Sequence, residues 1–207
     1  MLLTPILPGP MSPQLQSCAD TFRKSEAEIL HLAGSLTDDA FNWKPAPETW
    51  SIGECIEHLN RVAKAFLPRL EAVARRTEPT GQGPFTYGFI ARKMIDAIGP
   101  EGPNLSTSRS LNPSAGASRS IVDRREALHA FSEATDRYVA VCEAAAGLDL
   151  AKIKVSYPFF RLLRLPLGAF LHIAGMHALR HARQAANVRS ETDFPLGSGP
   201  VATEPAS

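Results

Sequence analysis

The stretch LGAFLHIAGMHALRHARQAANVR, Leu167 to Arg189, decides how the rest of the chain is read. Preceded by Pro166, it has the pattern of one long helix, and it places His177 and His181 four residues apart inside an apolar stripe. At about 100° per residue a four-residue step rotates about 40°, so the two imidazoles project side by side and one cation can reach both. Gln184 continues the same stripe. His172 precedes His177 by five residues and points well away, so it is not the natural third ligand. Two nitrogens leave a tetrahedral or octahedral ion under-coordinated, and a distant segment has to supply another donor. His58 is the candidate.

The chain as a whole fits a single domain: 207 residues, 44% of them hydrophobic, suffice for a sizeable core. A net charge of +1 and a pI near 7.8, with cations scattered among anions, leave no electrostatic footprint for a polyanion, so nucleic acid is not an expected partner. Cys18, Cys55 and Cys142 are odd in number and lack CxxC spacing. That argues against a disulfide framework or a cysteine-rich zinc site and points to a reducing cytoplasm. The opening MLLTPILPGP has no basic n-region and is broken by prolines. No run reaches the roughly 18 apolar residues of a membrane span, so the expectation is a cytoplasmic protein with no membrane partner.

Taken in order, residues 1–11 read as a loose arm. Ser12 as N-cap and Pro13 at the first helical position open a helix to about Gly34, with Leu15, Phe22, Ile29, Leu30 and Ala33 on its buried face. His31 falls near its C-terminal end, where the helix dipole favours it. The next segment, SLTDDAFNWKPAPETW, carries Pro45 and Pro47 and reads as a stiff connector without regular helix, anchored by Trp43 and Trp50. Ser51 and Glu54 have the spacing of a capping box, which opens a second helix to about Ala74. Ile52, Cys55, Ile56, Leu59, Val62, Ala63, Phe66 and Leu70 form its core side, with His58 at the border. Cys55 reads as a small apolar packer and Glu54 as a cap.

Between about 75 and 120 the composition turns to Gly, Pro and Ser. Only residues 86–98 there suit a short helix, and Phe85, Tyr87 and Phe89, costly to leave in water, suggest a lid. A third long helix should start at Ser120 or Asp123 and reach about Ala146, burying Leu128, Phe131, Ala134, Thr135, Tyr138, Val139 and Cys142 before Gly147 stops it. His129 flanks that face without partners at ligand spacing. LAKIKVSYPFFRLLRLP reads as irregular, with a short extended piece at IKVSY. Residues 191–207, rich in Pro, Gly, Ser and acid, read as a disordered tail. No internal repeat suggests a solenoid. The expected fold class is all-α, a four-helix bundle over 12–190 with a long insertion between its second and third helices. Such bundles build metal sites from side chains on facing helices, which is where His58 would meet His177 and His181.

Two motifs resemble a known family. The run from Asn42-Trp43-Lys44-Pro45-Ala46-Pro47 through Trp50-Ser51-Ile52-Gly53-Glu54-Cys55-Ile56-Glu57-His58-Leu59 resembles the second-helix signature of the DinB-like (DinB/YfiT) superfamily. His177, Arg180, His181 and Gln184 resemble that family's HxxRHxxQ signature in the last helix. The resemblance implies an up-down-down-up four-helix bundle and a divalent metal, often zinc or nickel, held by three histidines. Carried over position by position, these are His58, His177 and His181. Characterised branches include transferases that use a low-molecular-weight thiol as cosubstrate, with a few hydrolase or isomerase-like members, and many members have no known activity. This chain departs from the pattern in its insertion and in Ala178, which stands where some relatives carry the glutamate of HExxH. Neither departure removes a ligand.

Two function classes follow. One is a metal-dependent enzyme that transfers a low-molecular-weight thiol to a small electrophilic substrate through a position left open by three imidazoles. The other is a non-catalytic ligand-binding or stress-response module with a structural or vestigial metal site, or with the histidines as a hydrogen-bonded polar cluster. The sequence has no nucleophile elbow, no phosphate-cradling glycine loop and no convincing proton-transfer residue beyond the ligands. Arg61 and Arg180 either bind an anionic group near the site or are solvated and ion-paired. A homodimer through exposed helix faces is compatible with a bundle, but no seam in the sequence specifies it.

Overall fold

In a computed structural model, residues 10–103, 107–115, 121–158 and 160–195 are described. Along them run α1 (Pro13–Ala33), α2 (Asp38–Asn42), α3 (Ile52–Ala74), α4 (Phe89–Ile98), α5 (Arg124–Ala144), β1 (Lys154–Tyr157), β2 (Phe160–Pro166) and α6 (Leu167–Arg189). The starts of the long helices follow from their caps. The Ser12 hydroxyl accepts from the Leu15 amide ahead of α1, and the Asp123 carboxylate accepts from the Glu126 amide ahead of α5. Ser51 and Glu54 complete the capping box of α3, each side chain accepting from the other's amide at 3.0 Å. Gly147, just past α5, has φ of 80°, a conformation open to glycine at little steric expense.

The start of α6 is satisfied differently. Pro166 offers no capping side chain, and the amides of Leu167 and Gly168 donate instead to the carbonyls of Ile153 and Leu150 at 2.8 and 3.1 Å. The chain before β1 is thereby bonded to the root of α6. A Cβ at Gly168 would lie within 2.9 Å of the Leu150 Cβ and run into the Tyr87 hydroxyl, so only glycine admits this approach.

The four long helices contact one another in a ring: α1 packs on α5 and α6, and α3 packs on the same two. Their apolar faces fill two clusters. One gathers Ile29, Phe41, Ile52, Ile56, Phe131 and Ala182; the other holds Phe22, Phe66, Leu67, Leu70, Ile153 and Leu171. In the second, Phe22 stacks on Tyr138 with ring centroids 4.5 Å apart. The chain between α3 and α5, expected to be an insertion, returns to the ring, with α4 lying on α6. No helix among the described residues is long and apolar enough to cross a membrane.

The structure corrects the sequence reading at several places. The fold is predominantly helical but not all-α: the extended piece expected at IKVSY is β1, and FRLLRLP, read as irregular, pairs with it antiparallel, Val155 with Leu165 and Ser156 with Arg164. FRLLRLP, with its consecutive leucines, lacks the strict alternation that marks a half-buried strand, and pairing supplies what periodicity does not show. The connector before α3 contains the single-turn α2, capped by Thr37 and ended ahead of Pro45. Helix α4 starts at Phe89, three residues later than expected, and Phe89 itself is 67% exposed, whereas Phe85 and Tyr87 pack against the core. Phe194, within the expected tail, is buried and meets Trp43 edge-on at 5.5 Å. The arm at 1–9 and the tail from 196 lie outside the described residues.

Candidate metal centre

Helix geometry brings His177 and His181 to one face of α6, and the capping box fixes the register in which α3 presents His58 to them. The three ring centroids lie 4.6 to 5.1 Å apart. His177 Nε2 is 3.3 Å from His58 Nε2 and 3.1 Å from His181 Nε2, and one ligand atom from each of the three residues lies within 4.8 Å of the others. His58, expected at the border of its helix's apolar face, is instead 3% exposed. Trp50 covers the group, its ring 4.9 Å from His58 and 5.7 Å from His181.

Protonation follows from the surroundings. His58 Nδ1 lies 2.9 Å from the carbonyl oxygen of Leu111, which only accepts, so Nδ1 carries the proton and Nε2 turns a lone pair toward the other rings. Burial, aided by the charge of Arg61, lowers the His58 pKa against the opposing pull of that carbonyl. Burial, then His58 and Arg180, lowers His177 to about 3. Burial, then the other two rings, puts His181 well below the ordinary value. All three are neutral at pH 7, the state in which imidazole ligates a metal.

This arrangement fits a metal better than a hydrogen-bonded cluster. A neutral ring nitrogen offers one in-plane site, a proton or a lone pair, so His177 Nε2 satisfies at most one of its two close neighbours. A cation shared by the three Nε2 atoms removes the conflict. Bonds of about 2.0–2.1 Å at tetrahedral angles place neighbouring nitrogens about 3.3 Å apart, close to the 3.3 and 3.1 Å that separate His177 Nε2 from His58 Nε2 and His181 Nε2.

Beside the histidines lies a cavity of about 690 Å³, within the range of small-molecule sites. α3, α6 and β1 wall it with Phe66, Phe170 and Tyr157, and the insertion contributes Met94, Ile98 and Leu111. The helices that carry the histidines grip the chain between α3 and α5 next to them. Arg61 bonds the Asn112 carbonyl and pairs with Glu57, while Arg180 donates to the carbonyls of Ala97, Gly99 and Pro103. Both arginines, weighed above as anion binders, are thus engaged in holding the chain over the cavity. Gln184 lines it as well.

The remaining assignments divide cleanly. Cys55 is fully buried among apolar side chains, as expected. Glu54 caps α3 and also pairs with Lys44 at 3.0 Å and accepts from Ser114 at 2.7 Å, a role its capping position did not reveal. His129 is exposed beside Glu133, and His172 stands outside the cluster. The Leu111 carbonyl was missed because a backbone oxygen carries no sequence signature. Tyr157 was legible only as part of IKVSY, whose alternation marks a strand without saying what it faces.

Fold and site together define a predominantly helical protein whose core carries three histidines able to hold a metal ion. The chain belongs to the DinB superfamily, whose family model matches residues 21–185. No curated protein and no solved structure matches it significantly.

Proposed function

We propose that this protein is a divalent-metal-dependent enzyme that transfers a low-molecular-weight thiol to a small electrophilic substrate, with His58, His177 and His181 as ligands on a four-helix-bundle scaffold spanning 12–190. Zinc or nickel is the metal that suits three imidazoles, and a reducing cytoplasm is the compartment that suits a thiol cosubstrate. The observation that carries the reading is the convergence of three neutral imidazoles beside a cavity large enough for a second molecule. When bound, a divalent ion with three protein ligands supplies Lewis acidity at an open position, so that a thiol arriving there loses its proton more readily.

The chain's own residues do the rest. The Leu111 carbonyl holds the His58 proton at Nδ1 and so keeps Nε2 available. Trp50 covers the histidines, and Arg61 and Arg180 hold the insertion in place to keep water from the reacting groups. The test is a panel of low-molecular-weight thiols with a generic electrophile on zinc- and nickel-loaded protein. Metal-dependent thioether formation above the buffer rate is expected for at least one thiol, and no rate above buffer for any of them would sink the transferase reading.

A further inference from the structure

The cavity has a direction. Phe66 follows His58 by eight residues in α3, and Phe170 precedes His177 by seven in α6, yet the two phenyl rings lie 5.2 Å apart. The helices therefore pass the cavity antiparallel, and both rings fall on the same side of the histidines, about 10–12 Å along at 1.5 Å per residue. Tyr157 of β1 closes the group, 5.2 Å from Phe66 and 6.4 Å from Phe170. Met94 and Ile98 of α4 line the same space.

Charge is scarce there. Among the described lining residues, apart from the histidines, the ionisable side chains other than tyrosine are Glu48, on an exposed residue, and Arg180, which holds three backbone carbonyls. An anionic or phosphorylated body would lose its hydration against apolar walls without a dedicated counter-ion. An uncharged apolar body gains from the same walls.

We propose that the cavity takes an uncharged molecule with an apolar tail about 10–12 Å long, its head at the histidines and its tail among Phe66, Tyr157 and Phe170. Only the head group rests on the metal reading above; the tail site does not.

Calorimetry on the zinc-loaded full chain with two hydroxamic acids separates the two parts. Octanohydroxamic acid is expected to bind about tenfold or more tighter than acetohydroxamic acid, which shares its metal-binding head but has no tail. Ile98→Asp, a substitution on the partly exposed α4, is expected to bring the two within about threefold of each other. Equal affinities for the unaltered chain would overturn the tail site while leaving the metal reading intact. A chain that takes up no zinc defeats the metal reading instead, and the tail site is then tested on metal-free protein with 2-naphthol, followed by its fluorescence. Binding that Ile98→Asp weakens supports the tail site; no binding to the unaltered chain overturns it.

Discussion

His58 Nδ1 donates to the Leu111 carbonyl at 2.9 Å across 53 residues of chain, so the candidate metal centre and the insertion above it share one hydrogen bond. The bond settles which nitrogen of His58 faces its partners. It also makes the insertion part of the site's second layer of contacts, although insertions of this composition are ordinarily the most dispensable part of a domain.

If the three Nε2 atoms grip one ion, removing one ring leaves two donors. Protein purified with zinc and dialysed is expected to hold about one ion per chain by mass spectrometry, and His177→Ala about a tenth of that. Equal metal content in the two proteins would remove the site.

The metal-free protein should lose stability in mild acid. Each of the three imidazoles has a folded pKa below its unfolded value of about 6.5, so the unfolded chain binds more protons between the two values. Stability contributed by keeping these rings neutral is complete above pH 6.5 and falls as the pH drops toward about 3, the value to which His177 is pushed. Urea midpoints are expected to decline steadily from pH 6.5 to 5, less steeply in His177→Phe. Identical slopes would show that His177 is not held neutral by the fold.

Glu54 and Lys44 form an ion pair with only 6% and 9% of their side chains exposed. Glu54→Ala strands the ammonium and leaves the Ser51 amide without its half of the capping box, at a cost of about 3 kcal/mol in urea unfolding. Lys24, paired with Glu28 on the open surface of α1, serves as the control, and its loss should leave the midpoint unchanged.

Gly168 is where the insertion touches the root of α6. Gly168→Ala has to displace both Tyr87 and Leu150, and a loss of about 1–3 kcal/mol in thermal unfolding is expected. Tyr87→Phe in the same background should restore part of it, because the hydroxyl is the atom in the way.

Arg180 fastens the turn after α4 through the carbonyls of Ala97, Gly99 and Pro103. In Arg180→Ala the amides of Ile98, Gly99, Glu101 and Gly102 should exchange hydrogen faster, by about tenfold or more, while those of α1 and α5 keep their protection. Unchanged exchange in that turn would show that the arginine does not hold it.

Local chemistry wrote much of the molecule into its sequence. The caps at Ser12, Ser51 and Asp123 set the starts of three long helices because a hydroxyl or carboxylate near unpaired amides acts within a few residues. The spacing of His177 and His181 fixed a shared face because helical rotation is a local property. Non-local pairing decided the rest. FRLLRLP became a strand only by finding KVSY, Arg61 and Arg180 were committed by carbonyls of a distant loop, and Glu54 acquired Lys44 and Ser114 as partners through tertiary packing. His58 was nameable as a candidate, but its approach to a ring 119 residues away, and the carbonyl that orients it, depend on how α3 packs against α6 and how the insertion folds back. Sequence spacing governs what lies within one turn of helix, and only packing brings a nitrogen on one helix within 3.3 Å of a nitrogen on another.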